Sequence, residues 1–274
     1  MIDLHSHTLH SDGQRSPEEL LGEAAAANVT VLSLTDHDTV SGIAQATEAA
    51  TRRGIRLVPG IELSCELHGR EVHILGHFLD PCSEALLRLA ADMLQERRER
   101  MERMVASAQA AGFKQVTLER VIAASGGENL GRPHLARALV ECGHAKNVKD
   151  AFDRFLHSRG PLWVDRRRLS VVQAVELVRV AGGTSSIAHP GANAVSRQEL
   201  RVCADAGLDA VEALHPDHVA TQVEAYERWA AELDLLVTAG SDYHGPAVQP
   251  GRKLGDRTLS AERFAALEER ARRH

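Results

Sequence analysis

The 274-residue chain can bury a substantial core as one large domain or one domain with an insertion, and its formal net charge of −6 argues against a broad basic surface for duplex DNA. No basic N-terminal stretch precedes an apolar run, and no segment approaches the roughly 18–20 apolar residues of a membrane span, so neither a membrane nor duplex DNA is expected as a partner. Cys65, Cys82, Cys142 and Cys203 stand apart without CxxC spacing, which suits a reducing cytoplasm better than a disulfide framework, and fifteen histidines stand beside only two tryptophans and two tyrosines.

In chain order, IDLHSH (2–7) reads as a first strand. SPEELLGEAAAAN follows as a helix, with Ser16 as cap, Pro17 in the first position and Glu19 completing a capping box. VTVLSLTDHD, RLVPGIELS and EVHILGHFL read as further strands, with TVSGIAQATEAATRRG as a helix between the first two. From 84 to 180 the pattern turns almost wholly helical, with QERRERMERM expected as a solvated helix face carrying i,i+4 Glu–Arg pairs. Strands return in GTSSIAHP, LDAVEALHP and LLVTAGSDYH. The expected architecture is therefore an α/β fold with a mainly parallel sheet, open or closed into a barrel, formed by 1–83 and 181–274 and interrupted by a helical insertion over 84–180.

Metal-seeking side chains gather at the C-terminal ends of the predicted strands. His5 and His7, two apart on a strand, point to the same face. His37 follows the second strand, Glu62 lies in PGIELS and His73 in EVHILGH, His189 ends SSIAHP, and Asp242 and His244 end TAGSDYH. With Asp12 these are more imidazoles and carboxylates than one ion can use, and a mixed set of this kind suits zinc, manganese or iron, with a carboxylate such as Glu62 able to bridge two ions.

HSHTLHSDG, SLTDHD, PGIELS, IAHPG and GSDYH follow one another in the order of the motifs of the PHP (polymerase and histidinol phosphatase) family, which this chain resembles over 1–80 and about 183–245. The resemblance implies a distorted seven-stranded (β/α) barrel of the amidohydrolase-like metal enzymes, working as a phosphoesterase with two or three divalent ions, manganese before zinc or iron. It assigns His5, His7, Glu62 and Asp242 to a first ion, Glu62, His73 and His189 to a second, and Asp12, His37 and His244 to a third. Asp12 stands where other members often carry a histidine. Such a site needs no side-chain nucleophile, in keeping with a sequence that carries neither GxSxG nor a GxxxxGK[ST] phosphate loop.

The remaining candidates concern the substrate. In GGENLGRPHLARAL, Pro133 suits the first turn of a helix, so Arg132 and His134 would flank an N-terminus that favours anions, with Arg132 as a fork for phosphate. Within the family this resembles the members that remove the 3′-phosphate from 3′,5′-nucleoside bisphosphates or trim short 5′-phosphorylated RNA. The expected substrate is thus a small phosphorylated nucleotide, with short RNA as a second. Asp12 and His215 are the candidate catalytic side chains, His215 to contact substrate or protonate a leaving group. Two other functions fit the same motifs: a phosphatase of another monoester such as histidinol phosphate, and a nearly inactive metal-stabilised interaction module.

Overall fold

The computed structural model describes residues 1–125, 129–165 and 168–274, so residues 126–128 of the Gly-rich turn and 166–167 of DRRRLS lie outside the described residues. The chain runs through β1 (Ile2–Asp3), α1 (Pro17–Ala26), β2 (Val31–Leu34), α2 (Ile43–Arg53), β3 (Arg56–Leu67) and β4 (Arg70–His77). Helices α3 (Glu84–Ala110), α4 (Leu118–Ser125), α5 (Arg132–Glu141) and α6 (Val148–Ala151) follow, the last continuing as a π-helical turn over Phe152–Leu156. The chain returns through β5 (Leu169–Ser170), α7 (Val171–Val180), β6 (Thr184–Ile187), α8 (Arg197–Asp205), β7 (Ala210–Leu214), α9 (Ala220–Glu232), β8 (Leu236–Ala239) and α10 (Ala261–Ala271). Among the described residues no helix is long and apolar enough to cross a membrane.

The sheet order is β1-β2-β3-β4-β6-β7-β8, with β5 beside β3. Leu4 N–H donates to Ala239 O and His7 N–H to Tyr243 O, each at 3.0 Å, and Ser6 pairs with Tyr243, so the first strand meets the last and the sheet is nearly closed into a barrel. The expected capping box is present: Ser16 Oγ accepts from Glu19 N–H at 3.3 Å and Glu19 Oε2 accepts from Ser16 N–H at 2.8 Å.

Two features of the sheet differ from the sequence reading. β3 and β4 form an antiparallel hairpin, and β4 also runs antiparallel to β6. His68 and Gly69, at φ 50° and 75°, make its two-residue turn, and no crossover helix fits in so short a link, so β4 must run back. The expected strand over 2–7 forms a regular ladder only at Ile2–Asp3, because side chains take over its bonding. Ser6 N–H donates to Thr35 Oγ1 at 3.1 Å and Ser6 Oγ to Ser33 O at 2.7 Å.

Alternation along β3 sends Ile61, Leu63, Cys65 and Leu67 outward into a cluster with Leu20 and Leu21 of α1 and Val171, Val175 and Val178 of α7. Glu62 and Ser64 point the other way, opposite Leu75 and His73 of β4. A separate apolar cluster, with Met101, Met104, Leu135, Leu139, Leu156 and Leu162, joins α3, α5 and the segment after α6. The stretch 84–180 thus carries its own core, while its last helix, α7, packs with the barrel. QERRERMERM is only partly solvated. Arg98 pairs with Glu102 at the surface, but Arg97 and Arg100 are 7% and 5% exposed because they share a helical face with Met93, Met101 and Met104.

Gly240, the residue after β8, passes directly over His5, beyond the end of β1. A Cβ there would lie 2.3 Å from His5 Cβ and 2.7 Å from its backbone nitrogen. Gly240→Ala is expected to destabilise the fold by about 1–3 kcal/mol, the usual cost of overpacking, read as a lower urea midpoint; an unchanged midpoint would show that the two strands can part at no cost.

Candidate metal centre

The Glu62 carboxylate, 1% exposed, is ringed by five imidazole nitrogens. Its Oε2 faces His5 Nε2 at 3.3 Å, His7 Nε2 at 3.2 Å and His37 Nδ1 at 3.1 Å. Its Oε1 meets His73 Nδ1 at 2.7 Å and His189 Nε2 at 3.0 Å. Asp242 Oδ1 lies 3.3 Å from both His5 Nε2 and His7 Nε2. Beyond His7, Asp12 Oδ1 is 3.1 Å from His244 Nε2 and Asp12 Oδ2 is 3.8 Å from His37 Nε2. All nine predicted ligand residues therefore meet at one end of the barrel. His73 reaches it from near the start of its strand, since β4 runs backwards. His189 and Asp242 turn inward at positive φ, 28° and 52°, a region that side-chain-bearing residues enter mainly where the surroundings demand it.

Three observations fit this set to cations. His5 Nε2, His7 Nε2, His37 Nδ1, Asp12 Oδ1 and Glu62 Oε2 are buried and make no hydrogen bond, an arrangement that buried polar atoms rarely keep. Four donor atoms around an ion at about 2.0–2.1 Å would stand about 3.3–3.4 Å apart, and the contacts of His5 and His7 with Glu62 and Asp242 measure 3.2–3.3 Å. Finally, the ligand candidates group as His5–His7–Asp242, His5–Glu62–His189, His37–Glu62–His73 and His7–Asp12–His37–His244, so the groups share residues as adjacent ions require.

A further set of side chains orients these rings. Glu212, fully buried on β7, accepts from His5 Nδ1–H at 3.0 Å and, through its other oxygen, from His189 N–H at 2.7 Å. His244 Nδ1–H donates to Asp242 O at 3.0 Å. The two ring bonds leave Nε2 of His5 and His244 free to carry a lone pair toward the centre, while the bond to His189 holds its backbone. Asp36 accepts from Thr8 N–H, Thr8 Oγ1 and Ser11 Oγ at 2.8, 2.6 and 2.5 Å, which holds the loop after His7. Asp38 accepts from Ser64 N–H and Oγ–H at 2.8 Å and from Arg97 Nε at 3.0 Å, which fixes the loop of His37. Asp3, also fully buried, accepts from Ser241 N–H at 2.9 Å and Gly255 N–H at 2.8 Å and so locks the strand end that bears Asp242.

The charge balance follows from this crowding. Burial works against charging His7 and His73, but the carboxylates beside them outweigh it: Asp242 and Glu62 bring His7 to about 10, and Glu62 and Glu71 bring His73 to about 9. Burial likewise opposes ionisation of Glu62, Asp242 and Asp12, yet the surrounding imidazoles hold all three well below the usual carboxylate range. For His37 burial prevails and lowers its pKa to about 3.

The proposed substrate residues fare unequally. Arg132 lies over Trp163 at 4.9 Å and near Glu71 at 3.5 Å, and it lines a cavity of about 110 Å³ together with Asp12, His37, His73, Arg97 and Arg100. His134 is fully buried at the start of α5, where its Nδ1 accepts from Gly131 N–H at 3.0 Å, and burial takes its pKa to about 4. His215, 1% exposed, accepts from Asp217 N–H at Nδ1, so Nε2 carries the proton of the neutral ring and faces Asp242 Oδ2 at 3.5 Å. Sequence reasoning missed Glu212, Asp3, Asp36, Asp38, Arg97 and Arg100, and also Arg252, whose Nη1 donates to Asp242 Oδ2 at 3.3 Å. Some signals were present: Asp36 and Asp38 flank His37 in TDHD, Glu212 occupies an inward position of AVEAL, and Arg97 and Arg100 fall on the apolar phase of α3.

The chain also has relatives among known proteins. The model of the PHP domain matches residues 3–118. The chain is 34% identical over 258 residues to a 3′,5′-nucleoside bisphosphate phosphatase from Chromobacterium violaceum, covering 93% of this chain and 90% of that protein. It is 32% identical over 262 residues to the 5′-3′ exoribonuclease Rnm of Salmonella typhimurium, covering 93% and 89%. A solved structure from Bifidobacterium adolescentis, described as a metal-dependent phosphoesterase, superposes with a TM-score of 0.89 at 30% identity, covering 98% of this chain and 95% of that one. The chain belongs to the PHP family of metal-dependent phosphoesterases and is a hydrolase.

Proposed function

We propose that the protein removes the 3′-phosphate from 3′,5′-nucleoside bisphosphates, using two or three divalent ions, manganese in preference to zinc or iron. The observation that carries this reading is the placement of Arg132 across one small cavity from Asp12, His37 and His73: one wall is built for cations that would grip the phosphate to be removed, the other for an anion that stays behind. His5, His7, Glu62 and Asp242 would hold one ion, Glu62, His73 and His189 a second, and Asp12, His37 and His244 a third. When bound, such ions lower the pKa of a water toward neutrality and neutralise the oxygens of the phosphoryl group. The chain's own residues do the rest. Arg132, stacked on Trp163 and flanked by Arg97 and Arg100, binds and orients the second phosphate. His215 Nε2–H would donate a hydrogen bond to the departing ribose oxygen. Asp12, held ionised beside His244, is the proposed proton acceptor. His134, the other proposed substrate residue, contributes by capping the helix that carries Arg132. We further propose that 84–180 acts as a cap on the barrel of 1–83 and 181–274, and that the protein works in the cytoplasm, the compartment that the scattered spacing of Cys65, Cys82, Cys142 and Cys203 suits.

Trimming of short 5′-phosphorylated RNA is a second reading, favoured by a groove of about 570 Å³ that shares Glu71 with the first cavity and runs past Trp163, Arg168 and Asn193. A monoester such as histidinol phosphate would place no second anion beside Arg132, and a nearly inactive interaction module would have no use for so complete a ligand set.

Metal uptake should release protons. His7 at about 10 and His73 at about 9 both hold a proton at pH 7 before an ion binds, ligation requires the neutral ring, and apparent affinity must therefore rise from pH 7 to 9. Calorimetric titration of the metal-free protein with manganese, in two buffers of different ionisation enthalpy, should give heats that differ by the buffer's contribution; identical heats would contradict it.

The substrate assignment predicts that adenosine 3′,5′-bisphosphate is hydrolysed with kcat/KM at least about tenfold above 3′-AMP, since a charge-assisted contact contributes about 1.5–3 kcal/mol. Arg132→Ala should erase most of that preference, mainly through KM. Equal kcat/KM for the two nucleotides in the unaltered enzyme would remove the second anion position from the account.

A further inference from the structure

The three ligand groups are not held by the same part of the molecule. Glu62 and His73 sit within barrel strands, and His5 and His189 are oriented by Glu212 of β7. Asp12 and His37 lie on loops, and residues outside the barrel, one on α5 and one between α4 and α5, grip the backbone of both. Arg137 of α5 donates from Nη2 to Asp12 O at 3.0 Å, and from Nη1 to Ala124 O of α4 at the same distance, so one guanidinium ties the Asp12 loop to two helices. Asn129 Nδ2 donates to His37 O at 2.6 Å, and Arg97 of α3 binds the next residue, Asp38.

We infer that Arg137 and Asn129 are positioning residues that set the affinity of the third ion, the one assigned to Asp12, His37 and His244, far more than that of the other two. The inference rests on the metal reading above and adds a regulatory consequence to it: anything that shifts the helical segment relative to the barrel changes the third site while the first two stay loaded. Neither residue touches an ion or a ligand atom. Each fixes a peptide carbonyl, and a ligand whose backbone wanders loses the preset geometry that makes binding favourable.

The test is ion stoichiometry and affinity, by equilibrium dialysis of the metal-free protein against manganese with elemental analysis. The unaltered chain should bind three ions. Arg137→Met, which keeps the length of the side chain but not its donors, and Asn129→Ala, which leaves α5 untouched, should each weaken one ion at least about tenfold and leave two at their original affinity, with unchanged circular dichroism. Arg137→Lys, which keeps one donor, should recover part of the loss. The inference is overturned if both variants hold the third ion as tightly as the unaltered chain, if they lose all three together, or if the unaltered chain binds only two. An unaltered chain that binds none would overturn the metal reading as well.

Discussion

A buried carboxylate with five imidazoles around it governs this structure. Stripped of water, an ionised Glu62 would be strongly unfavourable unless opposite or polarisable partners surrounded it. Those partners come from the end of β1, the loop after β2, β4 and the turn after β6, so they reach Glu62 only if the sheet curls until its first and last strands meet. The pairing of Ser6 with Tyr243 performs that closure and brings Asp242 to the same group of rings. Barrel closure and the centre thus depend on the same strand ends.

Around the centre lies a set of buried carboxylates. Glu212, Asp3, Asp36 and Asp38 accept hydrogen bonds from the ligand rings and from the loops that carry them, which fixes tautomers and loop paths before any ion arrives. Beyond them stand the arginines. Arg97, Arg100 and Arg132 line the cavity on the helical side, with Arg100 and Arg132 stacked on Trp163, where a flat aromatic face restricts a guanidinium without quenching its charge. A centre rich in carboxylates and imidazoles thus faces a group of guanidinium side chains, of which Arg97 is paired with Asp38 and Arg132 with Glu71.

The helical segment contributes through its own core. Met101, Met104, Leu135 and Leu139 make α3 and α5 a packed unit, so the residues it sends toward the barrel are presented from a rigid support. Arg97 is an instructive member of this set. It lies in a run of charges that reads as a solvent-facing surface, yet its spacing from Met93, Met101 and Met104 puts it on the buried side, where Asp38 neutralises it. Periodicity outweighs composition there, because a helix buries a face and not a residue type.

What the sequence by itself determined were the features set by near neighbours. The HxH pair, the acidic and imidazole residues at strand ends, the Ser16 capping box and the αβ alternation each depend on a few consecutive residues, since strand and helix geometry repeat over short distances. Even the hairpin that reverses β4 was written in the two residues His68 and Gly69, though the reading passed over it. Tertiary structure alone decided which distant groups meet. His5 and Glu212 are 207 residues apart, and Arg137 and Asp12 are 125 apart, so no local rule connects them. It also decided that His134 turns inward to cap its own helix while Arg132 beside it faces the cavity. The physical reason is that a side chain's partners depend on how whole elements pack, and that packing is settled by the closure of the barrel and the seating of a second core against it.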